Sequence, residues 1–101
     1  MKINIPLELY NSKVTIHTDT ESYKDYELTE DEMGATYKDP YGDCVILIRE
    51  KTDIGVIVHE LAHATFHILG TRWVADEEAH CYMLDYLVRQ YFRAVKKSIK
   101  Y

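Results

Sequence analysis

The chain has 101 residues, of which 47% are hydrophobic and 29% are charged, and its formal net charge is −5. This length suits a single domain, which we expect to span residues 1–101. No apolar run approaches the roughly 20 residues that cross a bilayer, and the first residues do not form a signal-peptide block. We therefore expect a cytoplasmic protein that does not use a membrane.

The acidic charge is concentrated in the first half of the chain. Residues 1–50 carry eleven acids and five bases, whereas residues 51–101 carry six acids and seven bases. A nucleic-acid groove needs a concentrated basic face, so nucleic acid is not an expected partner. The acidic stretch from Asp19 to Asp43 would instead suit a basic protein partner.

Alternating hydrophobicity and turn residues predict two pairs of strands in the first half. The predicted strands are residues 3–10, 13–20, 35–38 and 43–50. Asn11 and Ser12 make a plausible hairpin turn for the first pair, and the Asp39-Pro40-Tyr41-Gly42 segment carries turn chemistry for the second. The unbroken apolar run at residues 44–48 predicts a strand that is central or covered on both faces.

Apolar residues change to helical spacing after the strands, which predicts two helices. The first has Thr52 or Asp53 as its N-cap and Gly70 as its stop. The second runs from about Asp76 to Lys97, with acids in its first turn and bases in its last. Strands followed by helices predict an α+β fold, a small antiparallel-type sheet followed by two packed helices.

The two cysteines and the isolated histidine have ordinary structural interpretations. Cys44 and Cys81 are too few and too far apart for a disulfide framework or a CxxC zinc site. Both lie in apolar contexts, so we expect two buried free thiols. His17 has no partner in the sequence and is expected on a strand surface.

The segment His59-Glu60-Leu61-Ala62-His63 is an HExxH motif in the first predicted helix. Positions i and i+4 share a helix face, so two imidazoles can converge there on one zinc ion. Glu60 is rotated about 100° from His59, which suits a base that takes a proton from a water on the metal. His67 lies about 12 Å along the axis from His59, too far to share the ion, and we expect it to support a ligand or lie at the surface.

A catalytic zinc usually has three protein ligands and one open position, so a third ligand is needed. The acidic start of the second helix supplies the candidates. Glu78 is the best of these, and Glu77 and His80 are the next. If Cys81 or His80 closed the site instead, the zinc would be structural.

These motifs resemble those of the small zincin-like metallopeptidases. The resemblance is to minimal peptidases encoded by phages and mobile elements, and more distantly to ImmA/IrrE-type domains. It covers about residues 33–88 and is most specific at VHELAHA (58–64), followed by DEEAHCYMLDYL (76–87). It implies zinc bound by His59, His63 and Glu78, with Glu60 as the catalytic base. It also implies that the strand at 43–50 lies along the cleft and pairs with an extended substrate.

The chain departs from the larger relatives in the residue that supports a ligand. Those relatives often have an acid four residues after the third ligand, but here that residue is Tyr82, so the supporting acid comes from elsewhere, for example Asp85. Tyr82 or His80 is a candidate donor to the oxyanion of peptide hydrolysis.

Two functions follow from these residues. The first is a zinc-dependent metallopeptidase that hydrolyses a peptide or protein substrate with a water activated by Glu60. The alternative is a zinc-binding, phage-type inhibitor or anti-defence protein that acts by binding a host partner.

Overall fold

The structure is a computed structural model that describes residues 1–18, 28, 32–49 and 53–98. Its elements are β1 (Lys2–Leu7), a 3₁₀ turn (Glu8–Tyr10), β2 (Ser12–His17), β3 (Gly34–Lys38), β4 (Cys44–Ile48), α1 (Ile54–Thr71) and α2 (Glu77–Ser98). The four strands form one sheet and the two helices pack against it, which confirms the predicted α+β fold. Neither described helix has the length and apolar character needed to cross a bilayer.

The sheet has the strand order β1-β2-β4-β3. Both predicted strand pairs are antiparallel, but the central pair, β2 and β4, is parallel, with Val14 opposite Cys44. The sheet is therefore mixed, where the sequence predicted an antiparallel one. Turn residues predict only pairings between strands that follow each other closely, whereas a long connection that includes β3 separates β2 from β4.

The hydrophobic core lies between the sheet and the helices. Its members include Ile5, Val14, Ile16, Ile46 and Ile48 from the sheet, Leu61, Ala64 and Ile68 from α1, and Met83, Leu87 and Tyr91 from α2. Burial of one such large aliphatic side chain stabilises the fold by about 1.5–3 kcal/mol. The apolar strand β4 is central, with β2 on one side and β3 on the other, as its sequence predicts.

The start of α1 lies where the sequence predicted it, but its end does not. Asp53 is the N-cap, because its Oδ1 accepts a hydrogen bond from the Val56 amide at 3.1 Å. The predicted stop at Gly70 is wrong: the helix continues to Thr71, and Trp73 takes the left-handed conformation with φ 59°. The Val74 amide donates to the Leu69 carbonyl at 2.9 Å, so Trp73 occupies the capping position that glycine usually fills.

Arg72 joins the end of α1 to two turns of the sheet. Its guanidinium donates to the backbone carbonyls of Tyr10, Asn11 and Tyr41. Gly42 has φ 104°, and a Cβ at this position would overlap the Arg72 guanidinium. The turn that follows β3 therefore needs glycine both for its backbone conformation and for this close approach.

Two expectations about burial are wrong. Cys44 is buried as predicted, but Cys81 is exposed. Burial and, to a lesser extent, the nearby charge of Asp39 raise the pKa of the Cys44 thiol to about 12. His17 is only 6% exposed, because it lies in register with the fully buried Leu47 on the sheet face opposite the core.

Candidate metal centre

Helix α1 presents the two histidines of the HExxH motif on its outer side. Ile68 follows His59 by nine residues, or two and a half helical turns, so the two side chains point in opposite directions. Ile68 is fully buried in the core, and His59 is exposed. The local sequence therefore places the imidazoles where they can meet an ion from solvent.

The two imidazoles converge. Their Nε2 atoms are 3.1 Å apart, and the rings meet edge to face with centroids 4.6 Å apart. Two nitrogens bound to one tetrahedral zinc ion at the usual distances lie about 3.3 Å from each other. The His59 and His63 side chains thus already have nearly the separation that a shared ion requires.

Glu60 lies beside this pair and is held by the sheet. One ligand atom from each of His59, Glu60 and His63 lies within 4.8 Å of the others, so these residues form a group that can hold a metal ion. Glu60 is buried at 6% exposure, and its Oε1 accepts a hydrogen bond from the Thr36 hydroxyl at 3.1 Å. This bond orients the carboxylate beside the histidines.

Strand β3 comes unusually close to α1 at this point. A Cβ on Gly34 would lie 3.1 Å from the Glu60 Cγ and 3.2 Å from the Val56 Cγ1. No motif in the sequence pointed to Gly34 or Thr36. The available signal was the run of small residues, Gly34, Ala35 and Thr36, in the strand that must pack beside the motif helix.

The candidates for the third ligand lie at the start of α2. Asp76 caps this helix, since its Oδ1 accepts from the Ala79 amide at 3.1 Å, and both Glu77 and Glu78 are exposed in the first turn. Within the described part of the chain, the metal-capable group contains neither of these glutamates nor His80. Glu78 as the third ligand therefore stays a prediction.

A groove between α1 and α2 brings two of these candidates near the motif. It has a volume of about 360 Å³, and its lining includes Ala62 and Phe66 from α1 and Glu77 and His80 from α2. The ring centroids of Phe66 and His80 are 5.1 Å apart. Ala62 and Phe66 flank His63 along the helix, so the groove opens beside the metal-capable group.

His80 has a defined tautomer in this groove. Its Nδ1 lies 2.9 Å from the Asp76 carbonyl oxygen, which can only accept, so Nδ1 carries the proton and Nε2 keeps its lone pair. The imidazole can therefore accept a hydrogen bond or bind an ion through Nε2.

Tyr82 and Asp85 have other surroundings. Tyr82 lines a second groove, formed by α2 and the segment from Pro6 to Tyr10, and no described residue of α1 lines it. Asp85 forms an exposed ion pair with Arg89 at 2.9 Å. The structure does not bring Tyr82 together with the two histidines, and its role as an oxyanion donor stays a prediction.

His67 connects the motif helix to the turn between β3 and β4. Its Nε2 donates to the Asp39 carbonyl at 2.6 Å. The side chain holds that turn against α1.

The strand expected to pair with a substrate is wrongly chosen. β4 is paired with β2 on one side and with β3 on the other, so neither of its edges can accept another strand. The strand with an open edge near Glu60 is β3, which pairs with β4 alone among the described strands.

Comparisons with known proteins do not assign the chain to a family. No family model, curated protein or solved structure matches the chain.

Proposed function

We propose that this chain is a zinc-dependent metallopeptidase of the zincin-like type. The observation that carries the proposal is the 3.1 Å separation of the His59 and His63 Nε2 atoms with the Glu60 carboxylate beside them. The third ligand comes from the first turn of α2, where Glu78 is the predicted residue and where Glu77 and His80, which line the groove between the helices, are the alternatives. A zinc ion held there supplies a more acidic water and polarises the carbonyl of the scissile bond.

Glu60 moves the protons of the reaction. Its carboxylate takes a proton from the water that attacks the peptide carbonyl, and it returns this proton to the amine nitrogen as the C–N bond breaks. Thr36 holds Oε1 through its hydroxyl, which leaves Oε2 for the water. The buried position keeps the carboxylate in one orientation through both steps.

The substrate is an extended peptide that lies along the outer edge of β3. The other edge of the sheet, β1, contains Pro6, which has no backbone N–H to give to an added strand. β3 contains no proline, and its Thr36 contacts the proposed base. A peptide paired there places its backbone beside Glu60.

Of the two candidate oxyanion donors, His80 lies nearer the motif helix, but in its Nδ1–H tautomer Nε2 accepts and does not donate, so neither residue is assigned as the donor. His80 lines the groove next to Ala62 and Phe66, whereas Tyr82 lines the groove on the other side of α2. A donor acts only within hydrogen-bond distance of the reacting oxygen.

The proposal is tested by metal content and cleavage measured on the same proteins. We expect purified wild type to hold one zinc ion, and the His59→Ala, His63→Ala and Glu78→Ala variants to lose it. Glu60→Gln should keep the ion but lose cleavage of a peptide library, because the amide cannot take the proton. Glu77→Gln is the matched control for Glu78→Ala, since both residues are exposed acids in the same turn.

Three outcomes would change the assignment. Cleavage by Glu60→Gln at the wild-type rate would refute the base, and wild type without metal would refute the whole proposal. Loss of zinc in Glu77→Ala or His80→Ala, but not in Glu78→Ala, would move the third ligand. Zinc without cleavage, together with capture of one host protein, would favour the partner-binding alternative. Its acidic stretch, Asp19 to Asp43, lies outside the described residues at 19–27 and 29–31.

A further inference from the structure

The groove between α2 and the segment from Pro6 to Tyr10 lies away from the metal-capable group. It has a volume of about 700 Å³, within the range of small-molecule sites. One wall is the segment from Pro6 to Tyr10, which comprises the end of β1 and the 3₁₀ turn that follows it. The other wall is α2, whose Ala79, Tyr82, Met83 and Tyr86 share one helix face by their spacing.

The walls are apolar, and part of that apolar surface is uncovered. Leu7 and Met83 are buried, whereas Leu9 is 87% exposed and Tyr82 is 71% exposed. Large apolar side chains exposed together around a concave surface mark a binding site more often than a packing fault. An occupant with an apolar body would cover them.

The residues that line the groove indicate which charge an occupant would carry. Glu8 is the one charged residue among the described residues that line it, and no lysine or arginine does. Tyr10, Tyr82 and Tyr86 supply aromatic rings, whose faces attract cations. The guanidinium of Arg72 donates to the backbone carbonyl of Tyr10 and does not line the groove. The surface that an occupant would meet is one carboxylate and three phenol rings, which favours a cation over an anion.

We propose that this groove binds a small organic cation that carries its charge on an apolar body, such as a quaternary ammonium. The cation lies against the tyrosine rings and near the Glu8 carboxylate, while its alkyl groups cover Leu9 and Met83. This site is separate from the proposed catalytic site, since no α1 residue lines the groove.

The test compares two probes of the same shape and different charge. Choline and 3,3-dimethylbutan-1-ol differ in a quaternary nitrogen that replaces a quaternary carbon. We expect choline to give saturable NMR shifts at Tyr82, Tyr86 and Glu8, with an affinity several-fold higher than that of the neutral alcohol. Equal affinity of the two probes, shifts at other residues, or no saturable shift would each overturn the proposal.

Matched variants locate the binding in this groove. Tyr82→Leu should weaken choline binding by about three- to thirtyfold, and Tyr82→Phe should retain it, because phenylalanine keeps the aromatic face. Glu8→Gln should weaken it by about two- to fivefold, as expected for an exposed charge pair. Glu77→Gln, an acid in the groove between the helices, should leave choline affinity unchanged; an equal loss there would refute the site.

Discussion

The hydrogen bond from Thr36 to Glu60 is the smallest feature on which the proposed chemistry depends. Thr36 lies in β3 and Glu60 in α1, and the Thr36 hydroxyl ties them together because its proton is shared between Glu60 Oε1 at 3.1 Å and the Glu60 carbonyl at 3.2 Å. Glu60 is only 6% exposed, so a variant that removes the Thr36 hydroxyl leaves a buried carboxylate without this hydrogen bond and lowers the free energy of unfolding. The bond therefore affects both the stability of the fold and the orientation of the base.

Replacement of Thr36 by valine tests this contact. The shape is kept and the hydroxyl is lost, so we expect a destabilisation of about 1–3 kcal/mol in urea unfolding. Thr36→Ser keeps the hydroxyl and should stay close to wild type. Both variants should retain the metal, so an equal loss of zinc in the two would contradict a role confined to the carboxylate.

The buried His17 predicts a loss of stability in acid. Burial lowers its pKa below 6.5, and the positive charges of Lys2 and the N-terminus add to this. Below about pH 6.5 the unfolded chain therefore binds a proton that the folded chain resists, and stability falls; above that pH the group contributes nothing.

Urea unfolding at pH 7.5 and pH 5 measures this effect. We expect the loss between the two values to be smaller for His17→Gln, and also for Lys2→Gln, which removes a repulsive charge. An unchanged loss in both variants would assign the acid sensitivity to other groups.

The sequence predicts those site residues whose chemistry has a fixed local spacing. His59, Glu60 and His63 are one helical turn of a motif, so all three are visible without a fold. Asp53 is one of two N-cap candidates in the sequence, beside Thr52, and only the structure chooses between them. Thr36 bonds to a residue 24 positions away in the sequence, and Arg72 bonds to residues 31 or more positions away. These partners cannot be identified until the strands are placed. The burial of His17 and the exposure of Cys81 likewise depend on which face a neighbouring element covers.

At the scale of elements, the turn after β3 and the end of α1 form one unit through Arg72. The turn carbonyl of Tyr41 accepts from Arg72, and Gly42 passes close to the same guanidinium. Asp39 closes the turn from inside, because its Oδ1 accepts from the Tyr41 and Asp43 amides. The polar groups of the turn are thereby paired.

Two glycine substitutions in this unit should have opposite effects. Gly42→Ala places a Cβ at φ 104° against Arg72, so we expect a loss of more than about 1 kcal/mol. Gly70→Ala meets no atom within 4 Å in a helical position and should add about 0.5–1 kcal/mol. Thermal and urea unfolding measure both, and a destabilised Gly70→Ala would contradict the helical assignment of that residue.

Element types follow from the sequence more readily than element pairing. The period of hydrophobicity predicted four strands and two helices in the correct order, and both predicted pairs are antiparallel. The predicted two-residue turn at Asn11 and Ser12 is wrong, because the first strand ends at Leu7, the 3₁₀ turn Glu8–Tyr10 and Asn11 make the connection, and Ser12 begins β2. The parallel pairing of β2 with β4 has no local signal, because it depends on burial of β4 between two neighbours. The family resemblance implies that β4 pairs with substrate, which is wrong because both of its edges are already paired.

At the scale of the whole molecule, the core and the metal-capable group are separate. The core cluster joins both helices to the sheet, and His59 and His63 are not members of it. We therefore expect the chain to remain folded without metal, unlike a zinc finger.

Zinc should nevertheless raise the melting temperature. An ion present at about one hundred times its dissociation constant adds about 2.7 kcal/mol of stability. Differential scanning fluorimetry with zinc and then with a chelator measures this change. His63→Ala should show no rise, and circular dichroism should show that chelated wild type keeps its helices; unfolding on chelation would contradict the separation.

The two edge strands of the sheet, β1 and β3, differ in how readily they would pair with another molecule in a concentrated solution. Pro6 interrupts the hydrogen-bonding groups of one edge strand, whereas β3 (Gly34–Lys38) has no proline and pairs on one side only among the described strands, so its peptide groups can bind an extended chain, including a second copy. The edge strand proposed to bind substrate, β3, is therefore also the strand through which copies of the chain would associate. The surplus of five negative charges opposes that association, because like-charged molecules repel.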